Sequence, residues 1–270
     1  MNLLFIGDIV GKPGRDVVLA ELPRLRESLK LDCVIANGEN AAGGFGLTRA
    51  IAEEFFAAGI DVISTGNHWA DQKEIYGLIE QEDRILRPVN YPKGTPGKGA
   101  NLYALPGGGS ILVINVMGRV FMDPLDDPFA AVARELDACP LGEAADAIVI
   151  DIHAEATSEK MAMGHFCDGR ASLVVGTHTH APTADAQILP GGTAFQSDAG
   201  ACADYDSVIG MDKTEPLRRF TTKMPGSRYA PATGPATLCA VFVQIGANGL
   251  ATRIEPVRVG GRLIPAIPVL

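Results

Sequence analysis

The sequence predicts an α/β fold in which parallel strands are covered by helices. In the first third of the chain, short β-branched runs alternate with stretches whose apolar residues recur at helical spacing. This alternation is typical of strand–helix–strand units. The 270 residues are 47% hydrophobic, which is enough for one large core. We therefore predict a single domain over residues 1–270.

Each of the first three predicted strands is followed by a helix. The short apolar runs predict strands at residues 3–6, 33–36 and 61–64, and the helical spacing predicts helices at residues 17–29, 47–58 and 71–81. Pro13 suits the first turn of a helix, where a backbone N–H is not needed.

The later elements follow a different pattern. Residues 88–109 are rich in Gly and Pro and are predicted to form a loop or a small cap. A strand at 111–116, a helix at 129–136 and strands that begin at 147 and 173 come next. Four further strands, without a long helix between them, predict a more antiparallel arrangement in the last third of the chain: 187–189, 193–196, 238–245 and 253–259. Residues 221–235 are predicted to be a mobile loop.

Charge and cysteine usage narrow the function classes. The net charge is −9 and the basic residues are scattered, so the chain lacks the basic surface of a protein that follows long nucleic acid. A small anionic substrate is still compatible with this negative net charge, because bound metal ions can make the local electrostatic potential positive. The five cysteines form no CxxC pair, which predicts reduced thiols and a cytoplasmic location. The N-terminus is predicted to be a core strand and not a signal peptide, and no apolar run has the length of a membrane span.

Four of the five histidines follow directly after predicted strands. They occur in Gly66–His68, Asp151–His153 and Gly176–His180. Ligands of open α/β sheets bind at the carboxyl ends of the strands. The clustering therefore predicts a metal centre at that edge. His178 and His180 are two residues apart, so on an extended segment both would point to one side and reach one centre.

Acidic and amide side chains follow the first two strands. Asp8 ends the first strand, and its surroundings do not match a phosphate-binding loop, which needs four residues between its glycines and a hydroxyl after the lysine. Glu39 could bridge two ions and Asn40 could ligate one, although an asparagine-rich turn explains this stretch equally well on its own. Asp151 shares a strand face with His153, and we predict that it orients that ligand.

Taken in order, these stretches resemble the binuclear metallophosphoesterases, and most closely their bacterial YmdB-like branch. The resemblance rests on GDIVGKPGR, NGEN, STGNHWADQ, HAEATSEK and GTHTHAPTAD, and it extends to about Lys213 through a further segment at 206–212. Val10 and Glu39 depart from the wider superfamily, which usually has His and Asp there, and these departures favour the YmdB-like branch. The resemblance implies a sandwich of two mixed β-sheets flanked by helices, with the metal site at the strand C-terminal ends.

The resemblance also implies a ligand set for two metal ions. One ion would be held by Asp8, Glu39, Asn40 and His180, and the other by Glu39, Asn67, His153 and His178. Such a pair lowers the pKa of a bridging water and clamps the attacking and leaving oxygens. His68 is then free to protonate the leaving oxygen or to stabilise charge. Nitrogen and oxygen ligands suit Fe, Mn or Zn, and the resemblance implies iron or manganese.

The leading hypothesis is a cytoplasmic, metal-dependent phosphodiesterase that acts through a metal-bridging hydroxide. The resemblance implies small phosphodiesters as substrates, above all 2',3'-cyclic nucleotides, with 3',5'-cyclic nucleotides as a further candidate. Two alternatives stay open: a phosphomonoesterase or 5'-nucleotidase, and a non-catalytic regulator that binds metal or nucleotide and acts through a partner. A metallo-β-lactamase-like enzyme would need a His-x-His-x-Asp-His cluster, which the sequence lacks. The oligomeric state, including a homo-oligomer, is left open.

Overall fold

Two β-sheets pack face to face in the computed structural model, which describes residues 1–224 and 226–270. In chain order the elements are β1 (Asn2–Ile6), β2 (Asp8–Ile9), α1 (Gly11–Ser28), β3 (Cys33–Asn37), α2 (Arg49–Ala57), β4 (Val62–Ser64), α3 (Ile75–Ile79), β5 (Ile85–Leu86), β6 (Ala100–Ala104), β7 (Ser110–Met117), α4 (Pro128–Ala138), β8 (Ala147–His153), α5 (Thr157–Phe166), β9 (Leu173–Thr177), β10 (Gln187–Ile188), β11 (Ala194–Gln196), β12 (Ala201–Asp204), α6 (Thr214–Thr222), β13 (Ala236–Ile245) and β14 (Ala251–Gly260).

Both sheets are mixed, and each has parallel strands at its centre. The first sheet has the order β2-β12-β13-β1-β3-β4-β5, with β14 paired to β13. Its strands β1, β3, β4 and β5 are parallel, and β13 is antiparallel to β1. The second sheet has the order β10-β11-β9-β8-β7-β6, with β7, β8, β9 and β11 parallel. The predicted sandwich of two mixed sheets flanked by helices is confirmed.

The core is arranged in layers because successive strand residues point to opposite faces. Leu3 and Phe5 lie in a buried cluster with Val113 and Val149, between the two sheets. Leu4 and Ile6 face the other way and pack in a cluster with residues of α1 and α2. The outer face of the second sheet packs in the same manner against α4 and α5. This arrangement holds the parallel strands of both sheets side by side, so their carboxyl ends form one polar edge.

Several elements differ from the prediction. The segment 88–109 contains the edge strand β6, which pairs antiparallel with β7, because its Gly and Pro residues flank Ala100–Ala104. α1 begins at Gly11, ahead of the predicted start, and α3 covers only Ile75–Ile79. α5 and α6 were not predicted, since polar residues interrupt the first and the second is only nine residues long.

The last third of the chain is mostly antiparallel, as predicted. β10 pairs antiparallel with β11, and β13 pairs antiparallel with β12 and β14. The exceptions are β11, which runs parallel to β9, and the short strand β12, which runs parallel to β2. The predicted loop at 221–235 overlaps the end of α6, and residue 225 within it lies outside the described residues. In the described part of the chain, no helix has both the length and the apolar character needed to cross a membrane.

Candidate metal centre

The predicted ligands come together where parallel strands of both sheets end. Asp8 follows β1, while Glu39 and Asn40 follow β3 and Asn67 follows β4. The second sheet contributes His153 as the last residue of β8, and His178 and His180 after β9. All seven proposed ligands lie in one connected set of contacts.

Glu39 lies at the centre of this set and is almost fully buried. Its Oε1 lies 3.1 Å from His153 Nε2 and accepts a hydrogen bond from Asn40 Nδ2 at 3.3 Å. On one side, His153 Nε2 also lies 2.8 Å from Asn67 Oδ1 and 3.1 Å from His178 Nδ1. The Glu39 carboxylate thus contacts His153 and Asn40 directly, and His153 in turn contacts Asn67 and His178. Glu39, His153 and His178 have the spacing of a metal-ligand group.

The other side of Glu39 holds Asp8, Asn40 and His180. Asn40 Nδ2 lies 3.2 Å from His180 Nε2, and His180 Nε2 lies 3.8 Å from Asp8 Oδ1. Asp8 is fully buried, and Oδ1 has no hydrogen-bond partner among the described residues. A buried carboxylate oxygen without a partner is costly. A cation at this position would offset that cost.

Hydrogen bonds at Nδ1 fix the direction of two histidine rings. His153 Nδ1 lies 2.9 Å from Thr177 Oγ1, and the Thr177 hydroxyl donates to Asp151 Oδ1 at 2.7 Å. Since the threonine proton goes to Asp151, the Thr177 oxygen accepts from His153 Nδ1–H. His180 Nδ1 donates to the Ile209 carbonyl at 2.7 Å. In both rings Nε2 is therefore the atom that faces Glu39 or Asp8, as metal-binding histidines require.

The electrostatics of the site favour positive charge beside Glu39. Burial lowers the pKa of His153, but the adjacent Glu39 carboxylate outweighs burial and raises the pKa to about 9. Burial opposes ionisation of Glu39, yet His153 lowers its pKa to about 2. Burial also raises the pKa of Asp8, and it raises the pKa of Asp151 to about 7. Burial and the nearby charge of His153 lower the pKa of His178 to about 3.

The loop after β9 delivers its two histidines to opposite sides of Glu39. His178 and His180 have left-handed backbones, with φ of 95° and 64°, so the segment is not extended as the spacing argument assumed. His178 meets His153, whereas His180 meets Asn40. Both histidines thus lie at the candidate centre, and only the assumption of an extended backbone is wrong, because the strand ends at Thr177.

A buried ion pair holds this loop in its strained conformation. Asp198 accepts hydrogen bonds from Thr179 N at 3.1 Å, from Thr179 Oγ1 at 2.6 Å and from Gly200 N at 2.8 Å. Lys160 Nζ lies 2.7 Å from Asp198 Oδ2, and both side chains are buried. Lys160, Asp198 and Thr177 were missed as contributors because none carries a proposed ligand atom. The signals in the sequence were the positions of Lys160 inside HAEATSEK and of Thr177 inside GTHTHAPTAD, whereas Asp198 lies outside all of the motifs.

The residues present fit a pair of metal ions. Asp8 Oδ1 is unpartnered among the described residues, the Nε2 atoms of His153 and His180 face the buried carboxylates, and Glu39 lies between the two groups of side chains. Gly66 also belongs to the fit, since a Cβ there would collide with His153 and with Glu39. Asn40 is the exception, because it presents its amide nitrogen to Glu39 and His180. For Asn40 to bind a metal ion through Oδ1, its side-chain amide would have to rotate so that the oxygen and nitrogen exchange positions.

His68 lies beside the centre without belonging to either group of ligands. Its backbone N–H donates to Glu39 Oε2 at 3.0 Å, and its ring Nδ1 lies 2.8 Å from Asp71 Oδ2. The ring is about one-third exposed and lines the cavity that opens over Glu39. A histidine oriented by a carboxylate at the edge of a cavity can donate a proton to a bound ligand.

Comparisons with known proteins agree on one family. The family model described as "YmdB-like protein" matches residues 4–257. The 2',3'-cyclic-nucleotide 2'-phosphodiesterase of Bacillus subtilis (strain 168) is 49% identical over 248 residues, which are 91% of each chain.

Two solved structures are similar along the whole chain. The crystal structure of a hypothetical protein from Thermus thermophilus has a TM-score of 0.90 and 46% identity, and the match covers 97% of this chain and 100% of that one. The crystal structure of a novel phosphatase from Mycoplasma pneumoniae has a TM-score of 0.89 and 29% identity, with 96% and 93% covered. The order of the motifs, the layout of the two sheets and these matches lead to one conclusion: this chain belongs to the YmdB-like family.

Proposed function

We propose that this protein is a metal-dependent phosphodiesterase that hydrolyses 2',3'-cyclic nucleotides at the 2' ester. The observation that carries the proposal is the buried Glu39 carboxylate, which lies between two groups of side chains able to ligate metal ions. The B. subtilis relative, which shares 49% of its residues with this chain over the matched length, is named for this reaction. With water as the second substrate, the P–O2' bond breaks and a nucleoside 3'-phosphate forms.

The division of the proposed ligands between two ions follows the resemblance, and the two groups of contacts around Glu39 support it. Asp8, Glu39, Asn40 and His180 would hold the first, and Glu39, Asn67, His153 and His178 the second. When bound, the ions supply Lewis-acid activation of the phosphoryl group and of the attacking water. Iron or manganese is the proposed metal, and the ligand chemistry also suits zinc.

His68 supplies the proton for the leaving oxygen. The Asp71 carboxylate, 2.8 Å from Nδ1, holds the ring in one orientation and leaves Nε2 available to the cavity. The departing 2' oxygen would take its proton from that atom. The Glu39 contact to the His68 backbone holds this acid next to the centre.

The experiment compares turnover of 2',3'-cyclic AMP by the wild type and by Glu39→Gln, each loaded with manganese or iron and assayed for bound metal. We expect the variant to lose metal and at least about a hundred-fold in kcat, since it removes the carboxylate that joins both groups. Glu53→Gln is the matched control, because Glu53 is exposed on α2. Wild-type protein that binds two metal ions and leaves the diester intact would refute the proposal.

The reaction products distinguish the proposed diesterase from the two alternative functions. A phosphomonoesterase would hydrolyse adenosine 3'-phosphate to adenosine faster than it opens the cyclic diester. A non-catalytic regulator would bind the nucleotide with negligible turnover in metal-loaded protein. Accumulation of adenosine 3'-phosphate is the outcome expected of the diesterase.

The cytoplasmic location and the single domain remain predictions that accompany this proposal. The five cysteines are free, and Cys33, Cys167, Cys202 and Cys239 are buried. Reduced, buried thiols are typical of a reducing compartment. The net charge of −9 supports a small anionic substrate at a metal site over long nucleic acid as the partner.

A further inference from the structure

A cavity of about 460 Å³ opens directly over the candidate metal centre. One end is formed by His68 and by four of the proposed ligands, Glu39, Asn40, His178 and His180. The other end is apolar and is lined by Phe45, Ile209, Met211, Phe220 and Tyr229. A volume of this size lies within the range of small-molecule sites, and the phosphate at the centre would fill only the polar end. The apolar end therefore has room for another part of the substrate.

The side chains at the apolar end suit a flat aromatic group. Phe45, Phe220 and Tyr229 offer rings on which such a group can stack. Phe45 also packs edge-on against His68, with ring centroids 5.1 Å apart, so the apolar end borders the proposed acid. The Arg219 guanidinium lies 4.2 Å from the centre of the Tyr229 ring, and this contact holds the ring in place from one side.

Two residues of the apolar end are unusually exposed for their type. Phe220 is 70% exposed and Ile209 is 59% exposed. Both line the cavity, so a ligand bound there would remove their apolar surface from water. That burial is favourable, which gives the cavity a physical reason to retain an aromatic ligand.

Ile209 connects the apolar end to the metal centre. It is a β-branched residue with φ of 49°, a conformation that is strained and needs support from its surroundings. Its carbonyl accepts the hydrogen bond from His180 Nδ1 at 2.7 Å, while its side chain lines the cavity. The segment 206–212, which resembled the family without an evident role, thus sets the position of the apolar wall relative to a proposed ligand.

We propose that this apolar end is the nucleobase site, and that it holds the base by stacking without reading its edge. The inference rests on the proposed function and names the part of the substrate that the metal centre does not bind. Among the described residues of the apolar end, Tyr229 alone carries a side-chain polar atom. The site therefore accepts all four bases, and purines bind more tightly because they bury more surface.

The test compares a cyclic phosphodiester that carries a nucleoside with one that has neither the base nor the ribose ring. Manganese-loaded protein is assayed with 2',3'-cyclic AMP and with glycerol 1,2-cyclic phosphate, which has the same reacting ring and no base. In Phe220→Ala we expect the ratio of the two kcat/KM values to fall about ten-fold, within the usual effect of removing a stacking ring. Phe220→Trp keeps a stacking surface and is expected to hold the ratio within about three-fold of the wild type.

A control on the same helix separates stacking from a change in α6. Leu217 lies in α6, is 53% exposed and is not part of the cavity lining, so Leu217→Ala should leave the ratio unchanged. A second readout is independent of turnover: calorimetry should show adenosine binding to the manganese-loaded wild type, with a dissociation constant about ten-fold higher in Phe220→Ala.

The outcomes distinguish the two proposals. If the wild type hydrolyses neither diester but adenosine binds and depends on Phe220, the base site stands and the proposed reaction falls. If both diesters are hydrolysed but adenosine does not bind, the base site is overturned and the reaction stands. An unchanged ratio together with unchanged adenosine affinity in Phe220→Ala also overturns the base site.

Discussion

The Thr177→Val substitution tests whether a single hydroxyl sets the metal-binding form of His153. Thr177 Oγ1 accepts from His153 Nδ1 at 2.9 Å and donates to Asp151 Oδ1 at 2.7 Å. All three side chains are fully buried. Valine has nearly the same shape, so the substitution removes the two hydrogen bonds without leaving a large cavity.

The free energies of the two lost hydrogen bonds set the expected loss of stability. Each bond involves a charged partner at pH 8, the Asp151 carboxylate in one case and the His153 ring, whose pKa is raised to about 9, in the other, and each is worth about 1.5–3 kcal/mol. We therefore expect a loss of about 3–6 kcal/mol in the free energy of unfolding of the metal-free protein. With Nδ1 no longer anchored, metal affinity should fall by about 10- to 100-fold.

The assay is metal titration by calorimetry and urea unfolding at pH 8, above the pKa of about 7 to which burial raises Asp151. Thr177→Ser is the matched control, since it keeps the hydroxyl and should retain most of the metal affinity. If the valine variant binds manganese as tightly as the serine variant, the hydroxyl does not orient His153.

Three further predictions concern the proposed acid His68, the loop that carries His178 and His180, and the bound metal ions. Asp71→Asn removes the carboxylate that orients the His68 ring, so kcat for 2',3'-cyclic AMP should fall at least about ten-fold with little change in KM. An equal loss of kcat in the exposed control Glu53→Gln would contradict this role. Lys160→Met leaves Asp198 buried without its cation; urea unfolding should show a loss of about 3–5 kcal/mol, against less than about 1 kcal/mol for Lys12→Met in an exposed pair. Chelation of metal-loaded protein should lower Tm by about 5 °C if the metal was present at a hundred times its Kd, and reloading should restore it; an unchanged Tm would show that the buried carboxylates need no cation.

Much of the fold could be predicted because the strands carry a strong local signal. The central parallel strands are short β-branched runs that end in polar residues, and the structure places β1, β3, β4, β8 and β9 where those runs occur. The elements that were missed lack such a signal. β6 is an edge strand with a half-exposed pattern, and α5 contains buried polar residues whose burial depends on partners far along the chain.

Much of the candidate site was also accessible from sequence, since strand ends converge once the sheets form. Asp8, Glu39, Asn67 and His153 each stand at or just after a predicted strand. The apolar end of the cavity was not accessible in the same way. Phe45 and Phe220 are 175 positions apart in the sequence, and only the packing of α6 over the centre brings both to one cavity.

The placement of His178 and His180 shows that a sequence motif predicts which residues belong to a site better than it predicts where their side chains lie. A left-handed conformation at a residue other than glycine costs about 1–3 kcal/mol and persists only when the surroundings enforce it. Two such residues, His178 and His180, occur within three positions here. The Asp198 carboxylate accepts hydrogen bonds from both the backbone N–H and the side-chain hydroxyl of the intervening Thr179. The strained loop is what sends one histidine to each side of Glu39, so the separation of the two ligand groups depends on residues that carry no ligand atom. It follows that Lys160→Met, which removes the ammonium group paired with Asp198, should weaken metal binding as well as folding, even though Lys160 belongs to neither proposed ligand group.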